Sequence, residues 1–563
     1  MKKTIISILC IFMALASGAE EKHLRERVYL STDKNTYIAG DMLWLSAFCA
    51  DVNTGRLSAF SKTAYVEIHS AGGMVQTGKI ALKDGRGAGR IVLSNTLPTG
   101  NYSIVAYTAQ SSNEAGYDYL ADQKIISVFN TLSSERAEGG VNICETPAET
   151  VKEPQAGQLA IEAAQNTETD KYIPVKITNN GSEPVSFSVS VYHDDGIKAT
   201  QGSRIGRFAK NVNSLRNTRA EFRKTRTAEY EGEIIYATVA GIDTESAKAM
   251  YGKHAFISAP GNMENLYTAT IDAQGKVAFF TSNIYGDKDI FAEIEGIPEG
   301  VACHLDMVSP FVNVSVKDIP VLDMSRSYAD ALSQRSMGMQ IEKAFESDTL
   351  YSLLPMRQHE TFNGKCITYN LDDYTRFPVM SDVLTEYVKE LRPRMTNKVR
   401  DIQVRLEDYV NSMSFSEGRS LMMIDGIPVL EQERILDYDP LLVNRIEIYP
   451  NTYFLGTRNF GGVANFVTYK GNLPSMKFAD NVRILSYQGT SFPLAYTCSK
   501  VSSSYPDYRQ TIYWHPVINL EPGESVEIQC KTPAYSGRFE ISAEGLTDSL
   551  EAVTATSAFN VVK

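Results

Sequence analysis

The sequence predicts a mostly β protein made of several antiparallel sandwiches with one small α+β domain. Three observations carry that prediction. Short runs rich in Tyr, Val, Ile and Thr alternate apolar with polar, and turn residues separate them. At 563 residues the chain is too long for a single core. One stretch, 371–474, mixes a helical pattern into the strands.

Taken in order, Lys2 and Lys3, the apolar run Ile5 to Leu15 and Ser17-Gly18-Ala19 before Glu20 read as a secretory signal peptide over 1–19. That run is too short for a permanent anchor, and no later segment is an integral membrane span. Cys10 lies inside the run rather than after a cleavage box, so no lipid anchor is expected.

Residues 27–131 form the first sandwich. Val28 to Lys34 leads to Tyr37 and Gly40-Asp41, then the alternating strand Met42 to Phe48; Leu97-Pro98-Thr99-Gly100 turns into a closing strand, Asn101 to Tyr107. The patterns Thr32-Asp33-Lys34…Tyr37…Gly40-Asp41 and Leu97-Pro98…Gly100…Tyr102…Ala106-Tyr107 resemble an MG2-type domain of the α2-macroglobulin family. That resemblance implies an Ig/macroglobulin-like sandwich in which Tyr37 and Trp44 are packing residues, not ligands.

Residues 132–156 are rich in Glu, Ser, Thr, Gly and Pro and read as a linker. A second sandwich module is expected over 157–200, where Val185 to Val191 alternates cleanly after the turn Asn179-Asn180-Gly181. The insert 201–229 is basic: between Arg204 and Arg226, Arg207, Lys210, Arg216, Arg219, Arg223 and Lys224 stand against the single acid Glu221. Arg216, Arg219, Arg223, Lys224 and Arg226 form a candidate interaction surface for lipopolysaccharide phosphates or an acidic partner; a solvated loop or helix face is the alternative. A third β module follows over 230–318. Residues 319–370 read as a connector containing a helix near Tyr328 to Leu332.

The segment 371–474 opens with a helical pattern at Ser381 to Val388. Leu421-Met422-Met423-Ile424-Asp425-Gly426-Ile427-Pro428 then gives a strand broken by an Asp-Gly turn. Val443 to Tyr449 and Phe460-Gly461-Gly462-Val463 to Lys470 follow. These blocks, marked by Asp425, Gly426, Pro428, Gly461 and Gly462, resemble the plug domain of TonB-dependent receptors, which implies an outer-membrane connection. Lys398 to Arg405 departs from the family pattern, so substrate gating does not carry over. A receptor barrel needs about 22 strands of about ten residues. Residues 472–563 cannot supply them, and no self-contained transporter is expected.

The last module, 478–563, alternates again, and Asp507…Arg509…Thr511…Tyr513-Trp514…Pro516 resembles the close of exported macroglobulin–plug proteins of Gram-negative anaerobes. The fold expected is therefore several Ig/macroglobulin-like sandwiches with one plug-like α+β domain.

Net charge of −12 argues against nucleic acid and suits an exported protein. Cys49, Cys144, Cys303, Cys366, Cys498 and Cys530 are widely spaced without a CxxC, which favours buried single thiols over zinc or a disulfide framework. Cys144-Glu145 is followed by Thr146-Pro147, so the macroglobulin thioester cannot form there. No HExxH, GxSxG or phosphate-binding loop occurs. His193-Asp194-Asp195 reads as a strand cap, and Asp425 as a turn-bonding residue. The function expected is a non-catalytic scaffold or binding protein, periplasmic or outer-membrane-associated, without cofactor or metal. Its expected partner is an envelope protein or glycan, with docking to a separate outer-membrane barrel as the alternative.

Overall fold

The computed structural model describes residues 23–563 except 147–148, 151–156, 224–225, 262–264, 283, 299, 346–350, 354–361, 397–398, 408–413, 417, 493 and 497–506. The signal peptide, Cys10 and Cys498 lie outside the described residues. The protein is mostly β. It divides into two compact units: Met1–Tyr230, Asn313–Leu354 and Ser491–Lys563 make one, Glu231–Val312 and Pro355–Thr490 the other.

The first unit begins with a nine-stranded sandwich. Glu26–Thr32, Met42–Asp51 and Arg86–Val92 form one side, and Thr63–Ser70, Gly100–Tyr107, Lys124–Phe129 and Thr36–Ile38 the other. The long strand Gly73–Lys83 pairs with Thr63–Ser70 and with Arg86–Val92 and so joins them, and the short Arg56–Leu57 pairs with Met42–Asp51. Strand alternation fills the centre: Leu43, Leu45, Ala47 and Cys49 from one strand meet Ala64, Val66 and Ile68 from another. Tyr37 is wholly buried, its hydroxyl within hydrogen-bond distance of Asp33 Oδ1 at 2.8 Å and of the Lys34 carbonyl at 2.7 Å.

The second sandwich of this unit overturns the expectation of separate modules at 157–200 and 478–563. Leu159–Ala163, Tyr172–Asn179 and Ser525–Lys531 form one sheet. Asn166–Glu168, Ala552–Val562, Gly537–Thr547, Val185–His193 and Thr511–Leu520 form the other. Val185–His193 lies between two C-terminal strands, and Ser186 Oγ donates to Asn519 Oδ1 across 333 positions at 2.7 Å. Period-2 alternation shows which face a strand buries but not which strand lies beside it. Neither half closes a core alone, so a shared core of Val189, Val191, Ile541 and Phe559 forms instead.

The expected linker is corrected in this unit, and the basic insert and the connector each carry a packed helix. The basic insert contains an amphipathic helix, Ile205–Leu215, whose Ile205, Phe208 and Val212 pack with Tyr29 and Phe48 of the first sandwich and Leu546 and Leu550 of the second. Within the expected linker, Val141–Cys144 is a strand paired in parallel with Leu322–Ser325. The expected connector supplies the helix Ala329–Ala344, whose Leu332 and Met339 pack with Ile38 and Phe129.

In the second unit, Lys276–Phe280, Ile234–Ala240 and His304–Met307 form a three-stranded sheet. It shares a core with Leu266–Thr270, His254–Ser258, Asp287–Ile294 and Arg483–Gln488. Arg483–Gln488, expected in the last sandwich, is thus the edge strand of this one. The α+β part has a five-stranded sheet ordered Ile367–Asn370, Val443–Leu455, Arg458–Thr468, Leu421–Ile424, Ile427–Pro428. The strands Leu421–Ile424 and Val443–Leu455, whose apolar patterns suit direct pairing, are separated by Arg458–Thr468, which pairs parallel with the first and antiparallel with the second. The helix Met380–Glu386 buries Met380, Val383 and Leu384 in their core.

Among the described cysteines all five are free; Cys49, Cys303 and Cys530 are buried, whereas Cys366 is exposed rather than buried as expected. No helix among the described residues is long and apolar enough to cross a membrane.

Candidate functional site

The first unit contains a polar cleft of about 300 Å³. Its floor follows from strand periodicity. Phe539, Ile541 and Ala543 of Gly537–Thr547 enter the second sandwich's core, so Glu540, Ser542 and Glu544 line the cleft, and Thr554 and Thr556 do the same beside Val553 and Ala555. Asp33, Lys124, Tyr192 and Arg335 complete its walls.

The carboxylates of this cleft are engaged. Glu544 accepts from Tyr29 Oη at 3.2 Å, Glu540 from Tyr192 Oη at 2.7 Å, and Asp195 from Arg335 Nε and Nη2 at 2.6 and 2.8 Å. Glu149 pairs with Lys198 at 3.3 Å and Asp194 with Arg538 at 3.4 Å. Lys124 differs. It is 5% exposed, its Nζ stands 4.0 Å from Glu544 Oε1, and no acceptor among the described residues lies within hydrogen-bond distance. Burial lowers its pKa, opposed by the charges of Glu544 and Asp33. An ammonium with three donors in such a place calls for acceptors from an occupant or from water. No local motif marks Lys124; its partners are contributed by strands remote in sequence, and the only sequence signal is a lysine opening the apolar strand Lys124–Phe129.

The three residues His193-Asp194-Asp195 diverge. His193 packs on Tyr535 and Phe539, ring centroids 5.0 and 5.2 Å away, and burial lowers its pKa. Asp194 and Asp195 turn to two different arginines.

Of the basic candidates, Arg216 extends over Gly55 with Nη2 donating to the Thr54 carbonyl at 3.3 Å. Arg219 is exposed. The backbone N–H groups of Arg223 and Arg226 donate to the carbonyl and to Oδ1 of Asn113, both at 2.8 Å, which fixes this segment's course. Lys224 lies outside the described residues.

In the second unit, Asp425 is 2% exposed in a left-handed conformation, φ 48°, followed by Gly426 at φ 82°. Its Oδ1 accepts from Thr468 N at 2.8 Å, and its Oδ2 from Thr468 Oγ1 at 2.7 Å and Leu473 N at 2.9 Å. Gly426 N donates to Asn465 Oδ1 at 3.0 Å, and Pro428 is buried in the short return strand. A Cβ on Gly461 would lie 2.5 Å from Ser416 Cβ, and one on Gly462 2.4 Å from Val404 Cβ. Asp425, Gly426 and Pro428 thus belong to the turn after Leu421–Ile424, whereas Gly461 and Gly462 lie at the opposite end of the parallel pairing, where Leu421 meets Val463.

No protein-family model and no curated protein sequence matches the chain. Among solved structures, trypsin-activated alpha-2-macroglobulin of Escherichia coli is similar at 8% identity and TM-score 0.24, over 96% of this chain and 42% of that one. The Yersinia pseudotuberculosis adhesin InvE is similar at 11% identity and TM-score 0.14, over 52% of this chain and 61% of that one. The Escherichia coli adhesin FdeC matches at 10% identity and TM-score 0.14, over 51% and 65%. The chain thus spans less than half the length of the macroglobulin.

Proposed function

We propose that the chain is a non-catalytic exported scaffold or binding protein of the Gram-negative cell envelope, engaging an envelope protein or glycan. The observation that carries this reading is Lys124: a buried ammonium without a hydrogen-bond acceptor among the described residues, in a cleft whose carboxylates are all engaged. The hydroxyls of Ser542, Thr554 and Thr556 beside it suit a polar ligand such as a saccharide or an extended peptide. Crosslinking in intact envelopes, with the captured species read by mass spectrometry, tests it. A saccharide or envelope protein joined to residues of the cleft is the expected result, lost with Lys124→Met; substrate turnover by the purified chain would overturn it in favour of a hydrolase.

A second reading is an accessory role in TonB-dependent uptake. It is favoured by the placement of the three plug-like sequence blocks on neighbouring strands of one sheet, with Asp425, Gly461 and Gly462 at their contacts. Co-purification of an outer-membrane barrel with the chain tests this reading, and recovery of no barrel protein from crosslinked envelopes would count against it.

A further inference from the structure

The second unit contains a separate cavity of about 770 Å³, independent of the cleft around Lys124. Strand Asp287–Ile294 turns Ile290, Ala292 and Ile294 into the sandwich core, so Phe291 and Glu293 occupy its other face. Phe291 is covered by Phe478, ring centroids 5.0 Å apart. Glu293, 6% exposed, lines the cavity and has no hydrogen-bond or ion-pair partner among the described residues.

The neighbouring charges do not answer it. Arg419 is spent on Glu295 at 2.8 Å and on the Leu430 carbonyl; Arg434 is spent on Glu431 at 2.6 Å and on the Lys477 carbonyl at 3.3 Å. Arg458 also turns to Glu295, at 3.0 Å. Asp480 adds another acid to the lining, and His304 faces Asp306 at 3.4 Å. Lys253 donates to the Gly296 carbonyl at 2.6 Å, so among the described residues the cavity has one buried carboxyl and no cation paired with it. Buried polar groups are almost always partnered, and a buried carboxylate without a counter-charge is costly.

We propose that this cavity binds an alkylammonium group, with Glu293 as its carboxylate partner. Either a lysine side chain of a partner protein or a free polyamine would bring that group. The titration behaviour supports the geometry. Burial, then the charge of Glu431, pushes the Glu293 carboxyl up to about 8, with Glu295 adding to the rise and Arg419 and Arg434 opposing it. At neutral pH this carboxyl is thus mostly protonated until a cation pairs with it. An entering ammonium favours the carboxylate, so Glu293 releases its proton as the ion pair forms.

The test is calorimetric titration of the full chain at pH 7 with putrescine and with the peptide acetyl-Gly-Lys-Gly-amide, each in two buffers of different ionisation enthalpy. Binding with release of about one proton per site is expected. Glu293→Gln, which keeps the shape of the protonated carboxyl, should weaken binding at least about tenfold and abolish the buffer dependence while leaving the thermal midpoint at pH 6 nearly unchanged. Glu431→Gln should reduce the protons released. Preference for the peptide assigns the site to a partner's lysine, and preference for putrescine to a free polyamine. Failure of both probes at millimolar concentration, or affinity unaltered by Glu293→Gln, overturns the proposal.

Discussion

Thr511 donates its hydroxyl to Asp33 Oδ2 at 2.6 Å across 478 positions of sequence, joining the first sandwich to the second inside one unit. Asp33 is 1% exposed and also accepts from Tyr37 Oη at 2.8 Å, Trp44 N at 3.2 Å and Lys34 Nζ at 3.2 Å, while its carbonyl accepts from Ser190 Oγ at 2.5 Å. Trp44 and Trp514, ring centroids 5.2 Å apart, pack beside this network. A single carboxylate thus closes a tight turn in one sandwich and ties it to a strand of the other.

Asp33→Ala removes the acceptor of several buried donors and one of the two carboxylates facing the buried Lys34, and a loss of about 3–5 kcal/mol is expected. Thr511→Val removes one of the hydrogen bonds between the sandwiches, for about 1–3 kcal/mol. Chemical denaturation measures both. A Thr511→Val protein as stable as the parent would show that this hydrogen bond contributes nothing.

Asp425→Ala is expected to destabilise the second unit by about 2–4 kcal/mol, because two backbone N–H groups and the Thr468 hydroxyl lose their acceptor and the left-handed backbone is kept. Asp425→Asn tolerates that backbone and retains part of the bonding, so its loss should be smaller. Hydrogen exchange at Thr468 and Leu473 reads the effect directly: both amides should exchange faster in Asp425→Ala. Equal protection in parent and variant would refute the assignment.

Gly462→Ala places a methyl 2.4 Å from Val404 Cβ at φ 84°. Strain and overpacking together predict a loss of about 2–5 kcal/mol. Gly418→Ala, whose added carbon meets nothing within 4 Å, is the matched control and should leave the thermal midpoint nearly unchanged. Comparable melting of the two variants would mean the close approach is not needed.

Much of the strand content was legible because alternation is local: Leu43, Leu45 and Ala47, or Val185, Phe187 and Val189, declare their buried face within a few residues. The bonding of Asp425 to a turn was legible for the same reason. That its acceptors reach Thr468 and Leu473 was not, since nothing near Asp425 specifies them. The pairing of Val185–His193 with strands beyond residue 510 was hidden by the intervening second unit. Lys124 and Glu293 share one difficulty: each is an unremarkable charged residue in a strand until burial removes its water. The basic run left loop and helix face open because its apolar residues, Ile205, Phe208 and Val212, are few and spaced between the charges.

Acid should destabilise the first unit through Glu67. Its side chain is fully buried, with Oε1 accepting from Tyr107 Oη at 2.5 Å and Asn313 N at 2.9 Å, and Oε2 from His69 Nε2 at 2.8 Å and Val314 N at 2.9 Å. Burial alone pushes this carboxyl up, but the hydrogen bonds from His69, Tyr107, Val314 and Asn313 together outweigh it and hold the group down at about 2. A folded value below the unfolded one means that the unfolded chain binds the proton more readily. The stabilisation is therefore complete above the unfolded value of about 4.3 and is lost as pH falls through about 2. Glu67→Gln cannot ionise and leaves donors facing an amide nitrogen, so its thermal midpoint should lie well below the parent's at pH 6 and the gap should narrow between pH 4.5 and 2. Thermal melts of both proteins across that range check the sign. A gap that stays constant as pH falls would show that the Glu67 carboxylate does not supply the stabilisation.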